Sequence, residues 1–170
     1  VWFLGCFTNQ ENASSLSFVD RRQIALFLGP PGTGKTHIAI AIGLLAIQAG
    51  KKVYCTSAKR LARDIQTHRE RNALDVLFKK ILGSNLWILD DWGVVSMQKE
   101  VTEEVFDLMD RRKQTTAMIL TSNRDITEWD QVFPDLIIAN ATIDRGFDRA
   151  ETLFFEGHSY RLKNRLDVSH

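Results

Sequence analysis

The chain has 170 residues, 44% of them hydrophobic and 25% charged, with a formal net charge of +1 at pH 7. That length suits one compact domain with a core of its own, and the composition is that of an ordinary soluble globular protein, neither disordered nor fibrous. No apolar run reaches the roughly 18 residues that span a bilayer, so no membrane partner is expected; the two cysteines, Cys6 and Cys55, and the four histidines stand in no metal-ligand spacing.

Val1 to Phe7 is apolar but short, lacks a basic leading region and runs into Asn9, Gln10 and Glu11 without a cleavage site, so it does not read as a secretory signal. Isolated thiols fit a reducing cytosol, and a cytoplasmic location is expected. The first residue is not Met, which is the expectation for a fragment or a processed chain. Residues 1–20 show no clear period and are expected to be a poorly ordered remnant, with the domain proper at residues 21–170.

Ile24-Ala25-Leu26-Phe27-Leu28 is a continuous apolar run that ends in Gly-Pro-Pro-Gly, the pattern of a buried strand entering a turn. From Lys35 to Gln48 apolar residues fill nearly every face, which predicts a helix buried between layers and ended by Gly50. Val53–Thr56 predicts a second strand. Ser57 is placed to cap a helix with the stripe Ala58, Leu61, Ala62 and Ile65, and a further helical pattern covers Leu74–Leu82. Leu86–Leu89 predicts a third strand ending at Asp90-Asp91, and Lys99–Arg112 a helix with Val101, Val105, Leu108 and Met109 inward. Ala117–Thr121 predicts a fourth strand ending at Ser122-Asn123, Leu136–Phe147 a helix, and Thr152–Phe155 a fifth strand stopped by Glu156-Gly157. Buried strands alternating with helices make an α/β fold around a mostly parallel five-stranded sheet, with ligands gathered at the carboxyl ends of the strands.

Three strand ends carry chemistry. Gly29-Pro30-Pro31-Gly32-Thr33-Gly34-Lys35-Thr36 fits the G-x-x-x-x-G-K-[ST] phosphate-binding loop between a buried strand and a helix, which is the context that pattern demands. Glycine lets the backbone curl around phosphate oxygens, and exposed N–H groups with the positive end of the next helix attract the anion. Lys35 would neutralise the β- and γ-phosphates, and the Thr36 hydroxyl would ligate Mg²⁺. The nucleotide-binding set therefore runs from Gly29 through Pro30, Pro31, Gly32, Thr33, Gly34, Lys35 and Thr36 to His37, with ATP and Mg²⁺ as ligands. At the third strand end Asp90 would hold the hydrated Mg²⁺, and Asp91 would orient or deprotonate the attacking water. The bland reading of that pair is a helix cap or a solvated loop. At the fourth, Asn123 would hydrogen-bond the γ-phosphate or the water; the alternative is a turn-forming Asn.

Charge is unevenly spread. Residues 51–80 carry nine basic and three acidic side chains, whereas residues 90–110 are strongly acidic. Lys59, Arg60 and Arg63 could track a phosphate backbone, or form a solvated helix face; the sequence leaves both open. Arg145, next to Asp144, could stabilise transition-state charge across a subunit boundary, while a surface salt bridge is the simpler reading of the bare sequence.

The phosphate loop with His37, Leu86–Gly93, Ile119–Arg124 with Trp129 and Phe133, Ile143-Asp144-Arg145 and Gly157-His158-Ser159-Tyr160-Arg161-Leu162 occur in the order of the IstB-like ATPases, and the resemblance covers about Ser17 to Arg165. These are AAA+ helper proteins of insertion-sequence transposition, related to the DnaC helicase loaders. The resemblance implies a P-loop NTPase three-layer sandwich and a Mg²⁺-dependent ATPase. It also implies a homo-oligomer with shared ATP sites that assembles on double-stranded DNA and serves a cognate, IstA-like transposase. It makes Asn123 the sensor residue, Arg145 the finger reaching into a neighbouring subunit, and the basic residues after the second strand DNA contacts. Two features depart from the family: about twenty residues stand where a small helical domain usually precedes the core, and Gly146 replaces the usual Leu after Asp144-Arg145, as in a truncated or decayed element copy. A DnaC-like helicase loader and a non-hydrolysing, nucleotide-dependent DNA-binding module are the competing readings. A small-molecule kinase ranks behind them, because the acidic pair and Asn123 favour water as acceptor.

Overall fold

The computed structural model describes residues 16–94, 96–132, 147 and 150–157. In chain order these form α1 (Ser17–Asp20), β1 (Ile24–Leu28), α2 (Lys35–Gln48), β2 (Val53–Ser57), α3 (Ala58–Glu70), α4 (Leu74–Leu82), β3 (Leu86–Trp92), α5 (Lys99–Arg112), β4 (Ala117–Ser122), a 3₁₀ segment (Ile126–Val132) and β5 (Glu151–Phe154). The five strands form one sheet in the order β2-β3-β4-β1-β5, and every pairing is parallel.

Period-two alternation sorts the strand side chains into two cores. Ile24, Leu26, Leu28, Trp87, Leu89, Met118 and Leu120 face one side, where α3, α4 and α5 contribute Leu61, Ile65, Phe78, Ile81, Val105 and Leu108. Ala25, Phe27, Leu86, Ile88, Ala117 and Ile119 face the other, against α1 and α2. Both faces are covered, which is why β1, β3 and β4 read as unbroken apolar runs.

The helix at Lys35–Gln48 has its expected bounds but is not buried between layers. It lies on the outside of the second core and buries only the face of Lys35, Ala39, Gly43 and Ala46. Ile40, Leu44, Leu45 and Ile47 remain 46–56% exposed. The fully buried part of the contact with the sheet is made by small residues, with Ile38 and Ile42 half-buried beside them, and a sequence that is apolar all round hides which face that is. Gly43 marks it: a Cβ there would lie 2.8 Å from the Ile88 Cδ1 of β3.

Other elements differ from expectation, and β2 and β4 each run one residue further than expected. Ser17–Asp20, inside the segment expected to be poorly ordered, is a helical turn with a buried Val19. The fifth strand is Glu151–Phe154, one residue earlier than expected, although the Phe155 N–H still donates to the Leu28 carbonyl at 2.7 Å. The third strand continues through Asp90 and Asp91 to Trp92. The expected helix at Leu136–Phe147, and with it Phe133, Asp144, Arg145 and Gly146, lies outside the described residues apart from Phe147. The Cys6 thiol and the motif following Gly157 lie outside them as well.

Candidate functional site

The parallel sheet brings β1, β3 and β4 side by side, so the loop after β1 and the tips of β3 and β4 meet at one edge. Gly29 leaves β1 with φ +143°, and its α-carbon sits so close to β5 that an added Cβ would be 2.2 Å from the Phe155 carbonyl oxygen. The first glycine of the loop thus serves a close backbone approach. The rest of the loop curls toward α2, whose first residue is Lys35.

Lys35 is 5% exposed, and its ammonium donates to the carbonyl oxygens of Gly29 and Pro30, each at 2.7 Å. Thr33 Oγ1 donates to the same Pro30 oxygen at 2.9 Å. A buried ammonium bonded to two neutral carbonyls can exchange them for an anion, since a hydrogen bond between two opposite charges is stronger than one to a neutral acceptor.

Thr36 Oγ1 donates to Asp90 Oδ1 at 2.8 Å and so joins the start of α2 to the end of β3. One hydroxyl and one carboxylate are hard oxygen donors suited to a cation that keeps several waters and shares its ligands with phosphates. No group of three or more His, Cys, Asp or Glu side chains assembles among the described residues. The donor set of Thr36 and Asp90 fits magnesium held jointly with a phosphate chain.

A cavity of about 520 Å³ is lined by residues 31–38, Asp91 and Asn123, within the size range of sites for a cofactor or nucleotide. The loop, the second acid of the pair and the β4 tip thus share one concave space. Asp90 is not among its lining residues; its carboxylate meets Thr36, which is.

Two hydroxyls that sequence reasoning gave no role organise this edge. Thr121 Oγ1 donates to Asp90 Oδ1 at 2.6 Å and accepts from the Asp91 N–H at 3.1 Å. Ser122 Oγ accepts the Trp129 indole N–H at 3.2 Å and the Arg124 N–H at 3.0 Å, and lies 2.9 Å from the Trp92 carbonyl oxygen. Trp129 packs edge-on against both Trp92 and Phe147, so the loop bearing Asn123 rests on a buried aromatic cluster. The available signal was a buried strand closing in consecutive hydroxyl residues, a place where polar groups must find partners.

The basic candidates lie elsewhere. Lys59, Arg60 and Arg63 are exposed on α3 and do not line the cavity. Arg60 Nε stands 3.6 Å from the half-buried Asp64, a loose pair. Ser57 caps α3 as expected, accepting the Arg60 N–H at 3.3 Å. Cys55 is a free, exposed thiol whose pKa is pushed up by partial burial and then by Asp90.

Residues 9–168 match the family model described as IstB-like ATP binding protein. The chain belongs to this family. It is 36% identical over 152 residues to an ATP-binding protein of insertion sequence IS21 from Pseudomonas aeruginosa, by that protein's name, covering 89% of this chain and 57% of that one. It is 34% identical over 151 residues to the corresponding IS5376 protein of Geobacillus stearothermophilus, with 89% and 60% covered. The chain thus spans less than two thirds of the length of these family members. Among solved structures, DnaA of Aquifex aeolicus bound to AMPPCP superposes with a TM-score of 0.74 at 20% identity, over 98% of this chain and 52% of that one. The DnaC helicase loader gives 0.70 at 19% identity, over 87% and 89%. These likenesses show that this member has the P-loop AAA+ fold. No helix among the described residues is long and apolar enough to cross a membrane.

Proposed function

We propose that this IstB-like chain binds ATP in the cavity over the phosphate loop, hydrolyses it with magnesium, and does so as a DNA-associated helper of a transposase. The observation that carries the nucleotide reading is the hydrogen bond from Thr36 to Asp90 beside a cavity that Lys35, Asp91 and Asn123 line together. A phosphate loop and two polar strand tips have no common structural task that would gather them so.

In this reading the Lys35 ammonium leaves the carbonyls of Gly29 and Pro30 for the terminal phosphates, and the amides of residues 32–36 cradle the chain of phosphate oxygens. Magnesium, when bound, neutralises charge on the phosphate oxygens, and Thr36 and Asp90 are the residues that would hold it. Asp91 accepts a proton from, or orients, the attacking water. Asn123, exposed at the β4 tip, donates a hydrogen bond to the γ-phosphate or fixes that water. Arg145 would complete the site from a neighbouring subunit of a homo-oligomer.

The DNA part of the proposal rests on the exposed cations Lys59, Arg60 and Arg63 and on relatives named for insertion sequences. A cytoplasmic location goes with it.

The test is calorimetric binding of ATP analogues, turnover, and retention of duplex DNA, for the native chain, Lys35→Ala, Asp91→Asn and Arg145→Ala. Lys35→Ala is expected to lose nucleotide binding. Asp91→Asn should bind and not turn over. Arg145→Ala should recover turnover when mixed with Asp91→Asn subunits, and no recovery would refute a shared site. Binding without turnover by the native chain would favour the non-hydrolysing module. DNA retention indifferent to salt would refute contacts to the phosphate backbone.

A further inference from the structure

The β3 and β4 registers slip at the site. Leu89 pairs with Leu120 and Trp92 with Ser122, so Asp90 and Asp91 together stand opposite the single residue Thr121. Two residues against one is a β-bulge, a device that is rare between parallel strands and that re-aims side chains. Asp91 takes up the slack with φ +57°, one of three non-glycine residues with positive φ among the described residues. In a regular strand, adjacent side chains point to opposite faces of the sheet. Here the bulge lets consecutive carboxylates serve one site: Asp90 meets Thr36 and Asp91 lines the cavity.

The extra residue must place its N–H outside the regular ladder. That N–H is taken by Thr121 Oγ1 at 3.1 Å, and the same hydroxyl gives its one proton to Asp90 Oδ1 at 2.6 Å. Thr121 is 1% exposed, which leaves water little access to either bond. The two bonds run head to tail, from the Asp91 amide through the Thr121 hydroxyl to the Asp90 carboxylate. They also leave the second carboxylate oxygen of Asp90 outside the Thr121 contact.

We propose that Thr121 is the positioning residue of the site: its hydroxyl pins the bulge at the end of β3 and thereby orients the carboxylate of Asp90 toward a cation and that of Asp91 toward the attacking water. This rests on the ATPase reading given above. The side chain touches neither nucleotide nor water in this role and acts only through the two aspartates.

Thr121→Val keeps the shape and the strand preference and removes both bonds, whereas Thr121→Ser keeps them. Affinity for AMPPCP is measured by calorimetry with and without Mg²⁺, alongside kcat and KM for ATP and the melting temperature. In Thr121→Val, metal-free affinity should stay within about twofold of native. The tightening produced by Mg²⁺ should shrink by about tenfold, the worth of one charge-assisted hydrogen bond, and kcat should fall by at least as much with KM changed less. Thr121→Ser should restore both within about threefold. The inference is overturned if Thr121→Val retains native Mg²⁺ tightening and kcat, or if Thr121→Ser is as impaired as Thr121→Val. A native chain that binds no nucleotide would refute the ATPase reading itself, and this inference with it; a native chain that binds and hydrolyses ATP while Thr121→Val matches it would refute the inference alone.

Discussion

The contact between Gly29 and β5 makes a quantitative test of how the phosphate loop is built into the fold. In Gly29→Ala the new methyl group would start 2.2 Å from the Phe155 oxygen and 3.0 Å from its carbonyl carbon. The obstacle is backbone and cannot rotate away. Phe155 is itself fixed, since its N–H is bonded to the Leu28 carbonyl at 2.7 Å and its ring packs against Phe27 at 5.3 Å between centroids. Relief requires β5 to back off by roughly an ångström, weakening that hydrogen bond at a cost of about 1 kcal/mol. Alanine at φ +143° adds strain of about 1 to 3 kcal/mol. The sum, about 2 to 4 kcal/mol, should lower the melting temperature of a chain this size by roughly 5 to 15 °C. Gly34→Ala is the control. Its φ is +95° but no atom lies within 4 Å of the added Cβ, so only strain of about 1 to 2 kcal/mol remains. Both are compared by thermal unfolding without nucleotide. If Gly29→Ala costs no more than Gly34→Ala, the close approach of β5 is refuted as the reason for glycine at the head of the loop.

Other substitutions probe other layers. Gly43→Ala meets the far end of the Ile88 side chain at 2.8 Å, with Val53 at an ordinary contact of 3.6 Å, and gains about 1 kcal/mol of helix propensity; denaturant unfolding should find it within about 1 kcal/mol of native, and a loss above about 2 kcal/mol would mean that α2 cannot shift on the sheet. Ser122→Ala leaves the buried Trp129 indole N–H without its acceptor. It should cost about 2 kcal/mol in the same assay, and a loss below about 0.5 kcal/mol would show that the hydroxyl does not support the Asn123 loop. Leu44→Lys, on the exposed face of α2, should change stability by no more than about 0.5 kcal/mol, and a larger loss would indicate that this face is covered in solution. Thr36→Ala should keep metal-free nucleotide binding within about threefold while abolishing most of its tightening by Mg²⁺, read by calorimetry with and without chelator.

What could be read from the residues was set by how local the physics is. β1, α2, α4 and α5 have their expected bounds because each is closed by a local signal: the glycines after Leu28, the turn after Gln48, the helix-period stripes of Leu77, Phe78 and Ile81 and of Val101, Val105 and Leu108. The phosphate-loop pattern is local for the same reason, since it lies in eight consecutive residues, and the structure runs them from the end of β1 into α2. The exposed face of α2 was not. Residues that are apolar on every side carry no phase, and only the sheet decides that Ala39, Gly43 and Ala46 turn inward.

The pairing at the site was hidden for a deeper reason. Asp90 and Asp91 could both be assigned chemistry from their place at a strand end, yet strict alternation would have set them on opposite faces. What reconciles them is the two-against-one register between β3 and β4, a relation between residues some thirty positions apart, held by Thr121. No periodicity within β3 encodes that slip, and Asp is only modestly suited to the positive φ that Asp91 adopts. A local conformation this costly persists when its surroundings determine it. Here one hydroxyl on the neighbouring strand bonds both residues, a contact between strands that no pattern within either strand announces.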